Sequence, residues 1–505
     1  MFDYLIVGAG ISGLYTAYKL NQYYPNKKIC IIEATNYIGG RLHSIKYDGV
    51  IVDGGAARFN NKQYRVQALV KELGLHNKLI PISNTINYKS INPHYDINLE
   101  TLFPDIDSFI TYLQKYIKNN KISDDELIHT TILELVENTN HIKSNNHKCE
   151  PIKNTYPTIK QYLIDIYPYY SELCVLNALE AIHLFTNEFS DKMKYTIING
   201  GMEQLASIIY DKLKKHPNIT IYKEYPLEKI KKITTTSTPT STPTYYEITC
   251  NTDTNNNNLL ETLNLILAIP KNKLIQIDYL TKNKNNTLLQ NINAVQNEPL
   301  YRIYARYPLD KKTGKVWFDG MEKISTNQHI KYIIPINPKK GVIMISYTDS
   351  LFAHFWHKQL LSNTFETTLN SQLKLVFPDI EIPKAKWYKH CFWESGAGYW
   401  KKGYDRKTIL HQMIQPIENE TLFICGENYS THQAWVEGAL ETSNLVLSKL
   451  GIHIKYNKNK NISKHISKRI SKRISKRISK RISKRISKRI SKRISKRISK
   501  RISKK

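Results

Sequence analysis

The stretch at residues 2 to 41, FDYLIVGAGISGLYTAYKLNQYYPNKKICIIEATNYIGGR, restricts this chain to few folds. Tyr4-Leu5-Ile6-Val7 is a short apolar run, long enough for a buried parallel strand and too short for a core helix. Gly8, Gly10 and Gly13 follow at G-x-G-x-x-G spacing. A helical pattern begins at about Ser12, with Leu14, Tyr15 and Tyr18 on one side. A second apolar run, Ile29 to Ile32, ends in Glu33, twenty residues after Gly13. Strand, glycine turn, helix, strand and acid in this order predict a dinucleotide-binding βαβ unit. Gly8 predicts a tight turn, Gly10 the close approach of a pyrophosphate, and Gly13 close packing of helix on strand. Ile11 and Ser12 open the helix, whose free N–H groups and positive dipole end then face the phosphates. Glu33, at the tip of the second strand, is placed to accept hydrogen bonds from a ribose diol.

The length of 505 residues and the 41% of hydrophobic residues give room for two or three domains with a sizeable core. The net charge of +31 is concentrated. From Lys455 onward there are 24 Lys and Arg and no acids, which leaves 50 basic against 43 acidic residues in the body. The basic balance therefore describes a tail: ISKH, nine copies of ISKR, then ISKK. A period of four buries no face, so residues 455 to 505 are expected to be disordered and able to bind nucleic acid or another polyanion. The six cysteines are scattered, with no C-x-x-C pair and no metal motif, which fits the cytoplasm or another reducing intracellular compartment. The first strand starts at once, so no signal peptide is expected. No apolar run reaches ~18 residues, so no transmembrane helix is expected either.

Gly39-Gly40-Arg41 follows Glu33 in the pattern E-x5-G-G-R. With the glycine motif, this stretch resembles the flavin-containing amine oxidase family, of the monoamine oxidase or L-amino-acid oxidase type. The resemblance implies that the Gly40 turn lies along an FAD diphosphate and that Arg41 pairs with it, a task suited to a guanidinium fork. It implies that Gly55 and Ala56 pass beside the flavin ring. Gly55-Ala56-Ala57-Arg58-Phe59 is similar to the L-amino-acid oxidase branch, which makes Arg58 the candidate clamp for a substrate carboxylate. The backbone at Leu227 would read the adenine edge. The run Thr234 to Thr244, TTTSTPTSTPT, reads as a solvated loop.

In residues 299 to 307, Arg302 stands where many members of the family place a lysine near flavin N5. In residues 387 to 404, Gly398 has no thiol where some monoamine oxidases attach FAD, so the cofactor is expected to be noncovalent. Tyr399 follows, where the family often has one aromatic wall of the substrate site. In Thr421 to Ser443, Gly426 closes a strand and Glu427 matches the acid that binds the ribityl chain. A helix expected from about Ala434, Val436 included, would direct N–H groups at the flavin N1–C2=O region, where negative charge develops on reduction. Trp435 would be the second aromatic wall.

The implied fold class is α/β, with a discontinuous FAD-binding Rossmann-type domain (1–80, 196–275 and 386–452) and an α+β substrate-binding domain (81–195 and 276–385). The implied activity is oxidation of an amine or L-amino acid to an imine, then an aldehyde or keto acid, with O2 giving hydrogen peroxide. The alternatives are an FAD-dependent C–C desaturase or dehydrogenase and a non-catalytic flavoprotein tethered by its basic tail.

Overall fold

In the computed structural model the described residues are 1–83, 86–89, 105–139, 159–167, 169–190, 192–234, 244–251, 258–282 and 286–456. The ISKR repeats lie outside them, as does the Thr-rich loop apart from its two end residues. The chain opens with strand β1 (Phe2–Val7), helix α1 (Ile11–Tyr23) and strand β2 (Ile29–Glu33). These sit in a seven-stranded sheet with Ile219–Lys223 beyond β2, Asn258–Leu267 on the other side of β1, and Leu422–Ile424 paired with that strand. All of these pairings are parallel. Leu227–Ile233 and Tyr245–Cys250 extend the sheet with antiparallel pairing.

The apolar runs of β1 and β2 have a direct cause, because the sheet is covered on both faces. Ile6, Ile29, Ile31 and Ile266 point into one core, shared with α1 and the helices Gln204–Leu213 and Val436–Lys449. Leu5, Val7, Cys30, Ile32, Leu265 and Leu267 point into the other. A one-residue slip of register would exchange the two sets.

A six-stranded sheet follows the order Trp387–Trp400, Val295–Arg306, Val342–Asp349, Tyr332–Asn337, Lys323–Thr326, Ile86–Lys89. Its long strand Val295–Arg306 separates two environments by alternation. Tyr301, Ile303 and Ala305 enter a core with Trp356, Phe365 and Leu369 of the helices Ser350–Leu361 and Phe365–Val376. Arg302 and Tyr304 instead reach the carbonyl of Asp53. The molecule is thus α/β, with a Rossmann-type sheet and an α+β second sheet.

Tyr332–Asn337 and Val342–Asp349 pair as a hairpin, interrupted where Pro338 lacks an N–H and Gly341 turns left-handed at φ +71. The C-terminal helix begins at Val436 and not at Ala434, which sits at φ +64 with its N–H held by Glu427. Among the described residues no helix is long and apolar enough to cross a membrane, and the described cysteines are all free thiols.

Candidate functional site

The three glycines of the first turn differ in what surrounds the side chain each lacks. Gly8 has φ +104, and a Cβ there would meet the Ala268 carbonyl oxygen at 2.6 Å. A Cβ on Gly13 would lie 2.0 Å from the Gly8 oxygen, so helix and strand close on each other here. At Gly10 a Cβ would meet nothing within 4 Å. Open space in front of Gly10, at the N-terminus of a helix with no side-chain cap, is what a pyrophosphate requires. Ile11 and Ser12 are buried at that end. Glu33 accepts from the Ala9 N–H at 2.9 Å and from the Thr35 N–H at 3.0 Å, so its carboxylate is fixed at the edge of the turn. Tyr225 N–H donates to the Glu33 carbonyl at 2.9 Å. That contact brings Leu227 to the same edge, where the strand register slips between Leu227 and Lys229.

The second glycine turn packs on the first. Gly39 N–H donates to the Ala9 carbonyl at 2.8 Å, and a Cβ on Gly40 would come within 3.3 Å of Gly10 Cα. Arg41 leaves this turn and donates through Nη1 to Glu427 Oε1 at 2.7 Å and to the Gly396 carbonyl at 3.0 Å. Glu427 is buried and also holds the N–H groups of Ala434 and Gly398. One carboxylate therefore ties together the G-G-R turn, the Gly398 strand, the Gly426 corner and the approach to Val436. The helix that Val436 opens carries no side-chain cap. Gly55 packs against Arg41, since a Cβ would lie 1.8 Å from the Arg41 oxygen, and Ala56 N–H donates to that oxygen at 2.9 Å.

The other pole is built from side chains. Arg302 is buried, donates to the Asp53 carbonyl at 2.8 Å and lies over the Tyr347 ring with its guanidinium carbon 4.8 Å from the centroid. The Asp53 carboxyl is pushed up to about 6 by burial, against its bonds from Ser44 and Met202. Tyr399 donates to Glu172 at 3.1 Å, and both are buried. Arg58 lies in a box of rings. Its guanidinium is 4.5 Å from the Tyr195 centroid and 6.0 Å from that of Trp435, and it reaches the Tyr169 hydroxyl at 3.4 Å. Among the described residues no carboxylate pairs with it. Trp435 stacks on Tyr195 at 6.2 Å and touches Phe189 at 5.9 Å.

The structure brings Arg58 and Trp435 into one cluster and Arg302 beside Tyr347. Tyr347 stacks on Tyr332 at 6.2 Å, and Tyr332 meets Tyr169 edge-on at 6.5 Å, so these rings join the two groups. No ring contact joins Tyr399 to Trp435 directly among the described residues. Sequence reading missed Tyr169, Tyr195, Tyr347 and Glu172. With 34 tyrosines in the chain, no spacing distinguishes the ones that converge.

The pattern of an NAD(P)-binding Rossmann-like domain matches residues 6–73. Nearly the whole chain is similar to an uncharacterized protein of Acanthamoeba polyphaga mimivirus, 24% identical over 91% of this chain and 96% of that one. Shorter stretches match protoporphyrinogen oxidase 2 of Arabidopsis thaliana, at 39% identity over 16% of each chain. Flavin-containing amine oxidase A of Sus scrofa matches at 36% identity over 17% of this chain and 16% of that one. Among solved structures, cyclohexylamine oxidase from Brevibacterium oxydans aligns with TM-score 0.65 at 15% identity, over 89% of this chain and 100% of that one. A putrescine oxidase variant aligns with TM-score 0.64 at 16% identity, over 89% and 98%. At such identities the likeness is one of fold. The chain therefore resembles the flavin-containing amine oxidases both in its dinucleotide motif and in its fold over most of its length.

Proposed function

We propose that the protein is an FAD-dependent oxidase of amines or L-amino acids, and that amino acids are its better substrates. The observation that carries the second part is Arg58, a guanidinium set among Tyr169, Tyr195 and Trp435 with no carboxylate partner among the described residues. A cation so placed suits a substrate carboxylate, which accepts two parallel hydrogen bonds from it. Bound FAD would supply the hydride acceptor that converts the C–N bond to an imine, with O2 as the final oxidant giving hydrogen peroxide and water releasing an aldehyde or keto acid.

The chain's own residues fit that cofactor. Gly10 and the uncapped helix behind it suit the pyrophosphate, Glu33 the ribose, the Leu227 backbone the adenine, and Arg41 the diphosphate edge. Gly55, Ala56, Gly426, Glu427 and Val436 would line the flavin side. Arg302 would hold the Asp53 turn and offer a fixed positive charge to the flavin, in the place of the family's lysine. Tyr399 and Trp435 would orient the amine and exclude water. Noncovalent binding is supported by Gly398, which offers no thiol; a Cβ there would lie 2.1 Å from Asn428 Nδ2, so a side chain would have to displace Asn428. The nearby Cys391 thiol is pushed up to about 11 by burial, which makes it a poor nucleophile.

We assign the FAD-binding role to residues 1–80, 196–275 and 386–452, and the substrate role to 81–195 and 276–385. The basic tail, 455–505, would bind a polyanion such as nucleic acid without taking part in catalysis. The test is peroxide release from matched pairs, phenylalanine against phenethylamine, by yellow protein whose flavin stays in the supernatant after acid precipitation. Peroxide from the amino acid in preference to the amine is expected. A colourless protein that cannot be reconstituted with FAD overturns the reading, and flavin in the pellet overturns its noncovalent part.

A further inference from the structure

Tyr399 does not end in solvent. The short helix Tyr170–Cys174 is tied to the six-stranded sheet by a bond from the Ser171 N–H to Asp349 Oδ2 at 2.8 Å. This fixes Glu172, which is 3% exposed, with Oε1 accepting from the Tyr399 hydroxyl at 3.1 Å. Its other oxygen, Oε2, is buried and has no hydrogen-bond partner among the described residues. Asp349 and Glu298 on the adjacent strands are buried too. Among the described residues the groups that act on Glu172 include these two acids, Tyr399, and Tyr169 and Cys174 at the ends of its own helix, and the buried Lys331 acts in turn on Asp349. Among the described residues no Lys, Arg or His is within ion-pair distance of it. A buried carboxylate without a cation is costly, and a neutral side chain of the same size would be as stable or more so. The arrangement is therefore a poor device for stability, and the side-chain hydrogen bond that Glu172 makes leads to Tyr399.

We propose that Glu172 is a positioning residue for the amine: its carboxylate holds the Tyr399 phenol, and with it the aromatic wall that faces the substrate nitrogen. This rests on the oxidase reading only for the place of that wall. Burial, reinforced by Asp349, keeps the Glu172 carboxyl far above the usual carboxylate range. Its charge, and with it the stronger charge-assisted bond to Tyr399, thus forms only as pH rises through the neutral range. Tyr399 should be held most firmly at the alkaline end, and turnover should carry a limb that belongs to neither the substrate amine nor the flavin.

The experiment uses FAD-loaded full-length protein, wild type and the variants Glu172→Gln and Tyr399→Phe. The first reading is kcat/KM against pH for phenylalanine and phenethylamine. Wild type should show a rise on the order of tenfold that both variants lose, since misplacing a reacting group carries costs of this size or larger. The second reading is an infrared titration of carboxyl groups, which needs no turnover. Wild type should show a carboxyl that titrates above the usual range, absent in Glu172→Gln and displaced in Tyr399→Phe. A limb retained by Glu172→Gln, or an infrared titration unchanged by Tyr399→Phe, overturns the proposal. If no amine or amino acid is oxidised, the oxidase reading fails and the infrared titration alone decides the Glu172–Tyr399 coupling. If Glu172→Gln does not fold, Tyr399→Phe carries both readings.

Discussion

Gly8, Gly10 and Gly13 act through the side chains they lack, whereas Arg58, Arg302, Tyr347 and Tyr399 act through side chains delivered from separate strands and loops. At the first pole the chain needs a backbone that can come close to something, and three glycines within six residues meet that need locally. At the second pole each residue is useful only because distant segments converge. Arg302 finds Asp53 across 249 positions, and Tyr399 finds Glu172 across 227. A local device is contiguous in the chain and is easily read. A convergent device leaves no compact trace.

The largest expected effect would break the first half of that contrast. Gly13→Val places atoms where a Cβ already lies 2.0 Å from the Gly8 oxygen, with backbone on the far side that cannot swing away. Overpacking of this kind costs roughly 1–3 kcal/mol or more, and here it separates α1 from β1. Loss of soluble folded protein, or a large fall in Tm without added FAD, is expected. Gly10→Val is the control, because the same side chain enters open space. The apoprotein should melt as wild type does, while FAD affinity falls by about ten- to a hundredfold, the equivalent of that same overpacking now directed at the ligand. If both variants melt alike, the division of roles between the two glycines is wrong.

The contrast also explains what the sequence made legible. The dinucleotide unit could be read because strand, turn, helix and acid are contiguous and each has one physical task. The second signature, Thr421 to Ser443, was equally readable, though its helix starts later because Glu427 holds Ala434 in a left-handed turn. Arg58 and Arg302 could be named only through resemblance, and their neighbours could not be named at all. Glu188 shows why. It sits in a π-helical turn, Phe189 beside it entering the ring box, and accepts from Asn60 at 2.6 Å, Gln63 at 2.7 Å and His432 at 2.6 Å. Nothing within a dozen residues of Glu188 announces those partners. Likewise Glu437 caps the distant helix Tyr64–Glu72 by accepting from the N–H groups of Arg65 and Val66, a capping role that no local pattern encodes.

A middle-sized effect would sharpen the second half. Arg58→Met keeps much of the apolar stem and removes the charge. A charge-assisted pair is worth roughly 1.5–3 kcal/mol, or about one to two decades in kcat/KM. Phenylalanine should lose that much while phenethylamine changes little, and the preference should narrow or reverse. Equal losses on both substrates would make Arg58 a support for Tyr195 and Trp435 only, and the plain amine oxidase reading would then lead.

The smallest effect concerns His432, which lies between Glu427 and Trp435 in the sequence and bonds to Glu188 at 2.6 Å. Burial alone would lower the imidazole, but the 2.6 Å bond to Glu188 and the nearby acids outweigh it, so the group lies above its ordinary value in the folded protein. The sign of the linkage follows. A raised histidine binds its proton more tightly when folded, so its contribution is fully present below the ordinary value of about 6.5 and is lost as pH rises through the folded one. Wild type should therefore lose more Tm than His432→Gln between slightly acid and slightly alkaline pH. The glutamine retains a donor for Glu188 and cannot titrate, which isolates the proton from the packing. The comparison is best made in apoprotein, where FAD binding cannot add its own pH dependence. Parallel Tm curves for the two proteins would mean that His432 is neutral in the fold and that it donates to Glu188 Oε1 as an uncharged Nδ1–H tautomer, beside the bonds of Asn60 and Gln63 to Oε2.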